Sequence, residues 1–179
     1  MILQDIFHYF AKYPSQQAVN KFFNRKNTSS LDSYAQMKAK ALTACKEIYP
    51  EITDYIYGVN EDQVKKQISQ VRGIYLFIDY GNITSRVDRL NVKEDVMQLA
   101  VTIAKPISSG TFDMAEEILI TEQLLQIMTS IRDDMRNDRS DPFIKRLTFP
   151  YDITPFFARE LSNSYGWTLM FNISGIDMV

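Results

Sequence analysis

The chain has 179 residues, 45% of them apolar and 23% charged, with a formal net charge of −2. That is enough chain for one domain with a sizeable core, and its scattered bases lack the concentrated face of a dedicated nucleic-acid binder. A single cysteine, Cys45, excludes an intrachain disulfide or a cysteine-rich zinc site, and a single histidine, His8, excludes a two-histidine metal site. With no sign of an oxidising compartment, the expected setting is intracellular. The opening "MILQDIFHYFAKYP" places Asp5 where a secretory leader is apolar, and uncharged apolar runs stay far below the roughly 18 residues of a membrane span.

Taken in order, Ile2, Ile6 and Phe10 stand four apart with Leu3 and Phe7 beside them, which is the stripe of an amphipathic helix interrupted by Pro14. "SQQAVNKFFN" continues as a second short helix with Ala18, Val19, Phe22 and Phe23 on one side. The run from Asn24 to Ser30 has no apolar residue and reads as an exposed connection carrying Arg25 and Lys26. With Ser30 or Asp32 as N-cap, Tyr34, Met37, Ala41, Cys45 and Ile48 then mark a buried-face helix up to Pro50. Asn60 as cap, Gln63 at the capping-box position and Val64, Ile68 and Val71 on one stripe predict a helix ending at Gly73.

From residue 74 the pattern changes. "IYLFIDY", bounded by Gly73 and Gly81, predicts a strand, and "VMQLAVTIAKP" alternates Met97, Leu99, Val101 and Ile103 with Gln98, Ala100 and Thr102 until Pro106. Between them "GNITSRVDRLNVKED" reads either as a solvated loop or as an arm that docks on a neighbouring subunit, with Val87 and Leu90 as apolar anchors among Arg86, Asp88 and Arg89. Asp113 as N-cap with Glu116 three residues later opens a long helix whose stripe is Ile120, Leu124, Ile127, Ile131 and Met135. The rest reads as strands: "FIKRLTF", a piece around "ITPFFARE", and "GWTLMFNIS", in which Trp167 shares a face with Leu169, Phe171 and Ile173 as a core anchor. The expected fold is α+β: a small antiparallel or mixed sheet packed by a long amphipathic helix. It forms one domain over residues 1–179, mainly helical in 1–73.

Chemistry is sparse. The six glycines reproduce no phosphate-binding spacing, no GxSxG elbow accompanies the serines, and no partner for His8 is visible. The acidic pairs Glu61-Asp62, Glu94-Asp95, Glu116-Glu117 and Asp133-Asp134 read as capping or solvated charges, and Cys45 as a small buried hydrophobe. No catalytic, cofactor-binding or metal-ligating residue is assigned, no cofactor is expected, and the chain is read as a non-enzyme.

The element order, with "IYLFIDY", a long connection, "VMQLAVTIAKP", the helix from Asp113, "FIKRLTFPYDITPFF" and the closing "YGWTLMFNISG", resembles the tail-terminator and head-tail connector proteins of tailed-phage necks. The resemblance spans about residues 74 to 175. It implies a virion subunit made in the host cytoplasm that closes a cyclic homo-oligomeric ring, meets portal, neck or tail proteins, and leaves a channel in passing contact with DNA, with no membrane role. The subunit contacts it implies are Arg25, Lys26, Arg86, Val87, Asp88, Arg89 and Leu90, with Ile176 and Met178 in the tail. A different reading makes the chain an intracellular adaptor that binds one partner through its N-terminal helices.

Overall fold

A computed structural model describes residues 2–23, 33–87, 93–107 and 113–175. The fold is α+β, with five strands in one mixed sheet of order β1-β2-β3-β5-β4. Helices α1 (Ile2–Phe10), α2 (Gln16–Phe22) and α3 (Ser33–Ala44) come first, followed by β1 (Ile52–Tyr57), α4 (Glu61–Ile68), β2 (Ile74–Val87) and β3 (Lys93–Pro106). Helix α5 (Met114–Asn137), a 3-10 turn (Ile144–Arg146), β4 (Leu147–Ala158) and β5 (Ser164–Gly175) complete the chain.

The caps form as the side-chain chemistry requires. Asn60 accepts from the Gln63 amide at 3.0 Å, and Asp113 and Glu116 close a reciprocal capping box at the start of α5. Alternation then sorts β3 and β5. Met97, Leu99, Val101 and Ile103 pair with Ile173, Phe171, Leu169 and Trp167, so one face of the central pair is continuously apolar. That face packs against α5 and the N-terminal helices in one cluster that reaches from Ile2 to Ile173. The opposite face carries a smaller cluster under α4, where Val64, Ile68 and Val71 meet Ile56, Tyr75 and Ala104. On that face Thr102 and Thr168 share a buried hydrogen bond of 2.8 Å.

The N-terminal portion is not purely helical. "ITDYIY" forms β1, an edge strand parallel to β2, because α4 supplies the crossover that a parallel pair needs. Nor is α1 an appendage: Ile6, Phe7 and Phe10 are fully buried, and the Tyr55 hydroxyl donates to the Phe7 carbonyl at 2.8 Å. Helix α3 stops at Ala44, and only Ala41 on it is fully buried, so it is a half-exposed cover rather than a core helix. "FIKR" turns as a 3-10 helix instead of starting a strand, and "ITPFFA" belongs to the single long β4. The expected cap of α3 at Ser30 or Asp32 lies outside the described residues.

Candidate functional site

Strands β2 and β3 are each 14 residues long, and only the first part of β2 lies over the core. Beyond Tyr80 a register shift carries the pairing on as Ile83 with Met97, Thr84 with Val96, Ser85 with Asp95, Arg86 with Glu94 and Val87 with Lys93. Strand β1 pairs only with Ile74 to Ile78, so the outer half of β2 has no neighbour on its other side in the sheet. Every residue from Gly81 to Val87 is exposed, with Ile83 at 42% and Val87 at 62%. The segment that reads as loop or arm is therefore an arm, held by its ladder and by the Ser85 hydroxyl donating to Asp95 at 2.6 Å. It brings Arg86 and Val87 together. Asp88, Arg89, Leu90, Arg25, Lys26, Ile176 and Met178 lie outside the described residues, as do the Asn24 to Ser30 connection and the terminal tail.

A second exposed feature lies on α5. Its C-terminal half buries Leu124, Ile127, Met128, Ile131 and Met135, but Met114, Ile118 and Leu119 near its start are 83%, 66% and 66% exposed. Met114, Ile118, Thr121 and Leu125 line one side of an open groove of about 550 Å³, with Glu117 and Glu122 on its rim and Trp167 across it. The Trp167 indole N–H donates to the Thr121 carbonyl at 3.0 Å, which pins β5 to the helix. Trp167 shares its stripe with Leu169 and packs against the core as the alternation implies, yet it is only half-buried and its other surface belongs to the groove. Sequence reasoning missed the groove. The available signal was that Met114, Ile118 and Leu119 add apolar positions beyond the stripe starting at Ile120.

No protein-family model, curated protein or solved structure matches this chain. The functional reading therefore rests on the surfaces and on the titratable groups.

Those groups gather most densely in a cleft of about 410 Å³ between α1 and the segment after α5, lined by His8, Lys12, Asp138 and Asp141 among others. Lys12 Nζ donates to Asp138 at 2.9 Å and lies 3.8 Å from the centre of the Tyr9 ring. The Lys12 hydrogen bond holds the Asp138 carboxyl below its ordinary value, while burial pushes the Tyr9 and Tyr13 phenols up. His8 Nε2 donates to the Met37 carbonyl at 3.3 Å. These contacts lock the end of α5 onto α1, a structural task. On the opposite side of the sheet, Asp79 faces an open basin with Gln98, Asp152 and Asn172, and partial burial raises its carboxyl. Cys45 donates to the Pro14 carbonyl at 3.4 Å, and burial raises its thiol, the opposite of what activates a nucleophile. Among the described residues no three His, Cys, Asp or Glu side chains gather as a metal site, and no helix is long and apolar enough to cross a membrane.

Proposed function

We propose that this chain is a structural assembly subunit that associates head to tail into a closed ring, of the kind that joins portal to tail in a phage neck and leaves a passage for DNA. The observation that carries this reading is the β2–β3 arm. Its outer strand exposes seven consecutive residues, Gly81 to Val87, with Ile83 and Val87 apolar and Arg86 charged among them. An isolated two-stranded ribbon is marginal in water, and an exposed strand edge is a template for pairing, so a long bare arm is costly unless a partner covers it. A ring of identical copies supplies that partner through heterologous contacts. The reading assigns no catalytic step. Its virion setting follows from the resemblance in element order, and the arm supports the assembly role alone.

Sedimentation analysis of the purified protein together with negative-stain imaging tests it. The expected result is a discrete oligomer showing a central hole, either alone or after addition of a purified portal or tail ring. A strict monomer under both conditions overturns the proposal.

A further inference from the structure

Resting on that assembly reading, we propose a specific contact: the β2–β3 arm of one copy seats in the α5–Trp167 groove of the next. The occupant is a second copy of this chain, and three features of the molecule point to it.

The first is placement. The arm ends at the Val87–Lys93 pair, at the start of β3, whereas Trp167 pairs with Ile103 near the end of β3 and bonds to Thr121 on α5. Ten residues of extended strand separate Lys93 from Ile103, a span of about 33 Å. Arm and groove thus lie at opposite ends of the sheet, so a subunit cannot fill its own groove. Joining the two surfaces gives a head-to-tail contact that closes on itself or propagates.

The second is charge. From Asp113 to Ile131 the chain carries four acids, Asp113, Glu116, Glu117 and Glu122, and no base. Glu117 and Glu122 line the groove itself. From Arg86 to Lys93 the arm carries three bases, Arg86, Arg89 and Lys93, against Asp88 alone. Opposite signs on two surfaces that both expose apolar side chains favour pairing of one with the other over pairing of like with like.

The third is size and shape. Ile83 and Val87 fall on the same face of β2, four residues and about 13 Å apart. Met114 and Leu125, the ends of the groove wall, are eleven residues apart on a helix, about 16 Å. A single strand laid along α5 therefore matches the groove end to end, with its apolar face on Ile118 and Trp167 and Arg86 within reach of the acidic rim.

The test uses the full chain and its only tryptophan. Association of the native protein should shift Trp167 emission to the blue in step with oligomer formation, because the groove loses water as it fills. Ile118→Arg and Val87→Asp, both at exposed positions, should keep the native circular dichroism and each weaken association by about tenfold or more. Mixing the two variants leaves one intact arm and one intact groove, and should give heterodimers that grow no further. If the protein forms rings with unchanged Trp167 emission, or if Ile118→Arg assembles normally, this contact is overturned while the ring reading stands. If the native chain remains monomeric under both conditions named above, ring and contact fail together.

Discussion

Along α5, Leu124, Ile127, Met128, Ile131 and Met135 are buried against the sheet, whereas Met114, Ile118 and Leu119, on the same unbroken helix, face water. Both halves are apolar enough to pack. The difference lies in what stands opposite. Beneath the second half lie the apolar rows of β3 and β5, but the first half overhangs the sheet and meets only the edge of Trp167. Burial is thus a property of the pairing of surfaces, and an apolar helical half-turn left over marks a place where a surface is missing.

The contrast is sharpest in core truncation. Ile131→Ala should cost about 2–5 kcal/mol, since its side chain is fully buried and the vacated space cannot fully collapse, while Ile118→Ala should change monomer stability by less than about 0.5 kcal/mol. Urea unfolding below the association range measures both, and equal losses would contradict the assignment of the two halves.

Gly166→Ala probes how closely β5 must approach β3 to hold Trp167 against α5. A Cβ at this position would sit 2.0 Å from the Ile103 carbonyl oxygen and 2.7 Å from the Ala104 Cα, both backbone atoms that cannot step aside. We expect a loss of about 1–3 kcal/mol by thermal unfolding, with a red-shifted Trp167 emission as the strands part.

Because little tertiary packing supports the exposed half, its helicity leans on the Asp113–Glu116 box. Asp113→Ala should cost about 1 kcal/mol. Amide exchange should accelerate at Ile118 to Thr121 and remain slow at Met128 to Met135. Uniform acceleration along α5 would show that the halves open together.

The smallest effect belongs to the buried half's far end, where Asp138 caps α5 and meets Lys12. The carboxyl is held below its ordinary value, chiefly by the Lys12 hydrogen bond, so its stabilisation is present above the unfolded aspartate range and is lost as pH falls through the folded value. With the Asp138 side chain 32% exposed, solvent screening limits the pair to less than about 1 kcal/mol. Lys12→Met should therefore be less stable than native at pH 6, with the Asp138-linked part of that difference gone by about pH 2. A carboxyl titration of Asp138 that is unmoved by the substitution would contradict this.

Much of the architecture was legible because it is local. Asn60 and Asp113 announce their helices through capping geometry that spans four residues, and the stripe from Trp167 to Ile173 announces a strand through its period of two. Strand β1 was not legible. Thr53 and Asp54 break its alternation, and it becomes a strand only by pairing with Ile74 to Ile78 after a helical crossover. The continuation of β2 past Gly81 was likewise ambiguous, since its polar run gains its extended form from pairing with Asp95 to Met97 and from no buried face of its own. Of the candidate contacts, Arg86 and Val87 were visible as charge and anchor in a polar run. The groove was not, because Trp167, Ile118 and Leu125 come from separate stretches of chain.

The sequence by itself determined where helices start, which residues of β3 and β5 share a face, and that the fold would be α+β, because caps and periodicities act over a few neighbouring residues. Tertiary structure alone decided that β1 joins the sheet, that the outer half of β2 stands free as an arm, and that α5 is buried at one end and bare at the other. Each of these depends on which distant segment lies opposite, and that is set by packing across the whole chain.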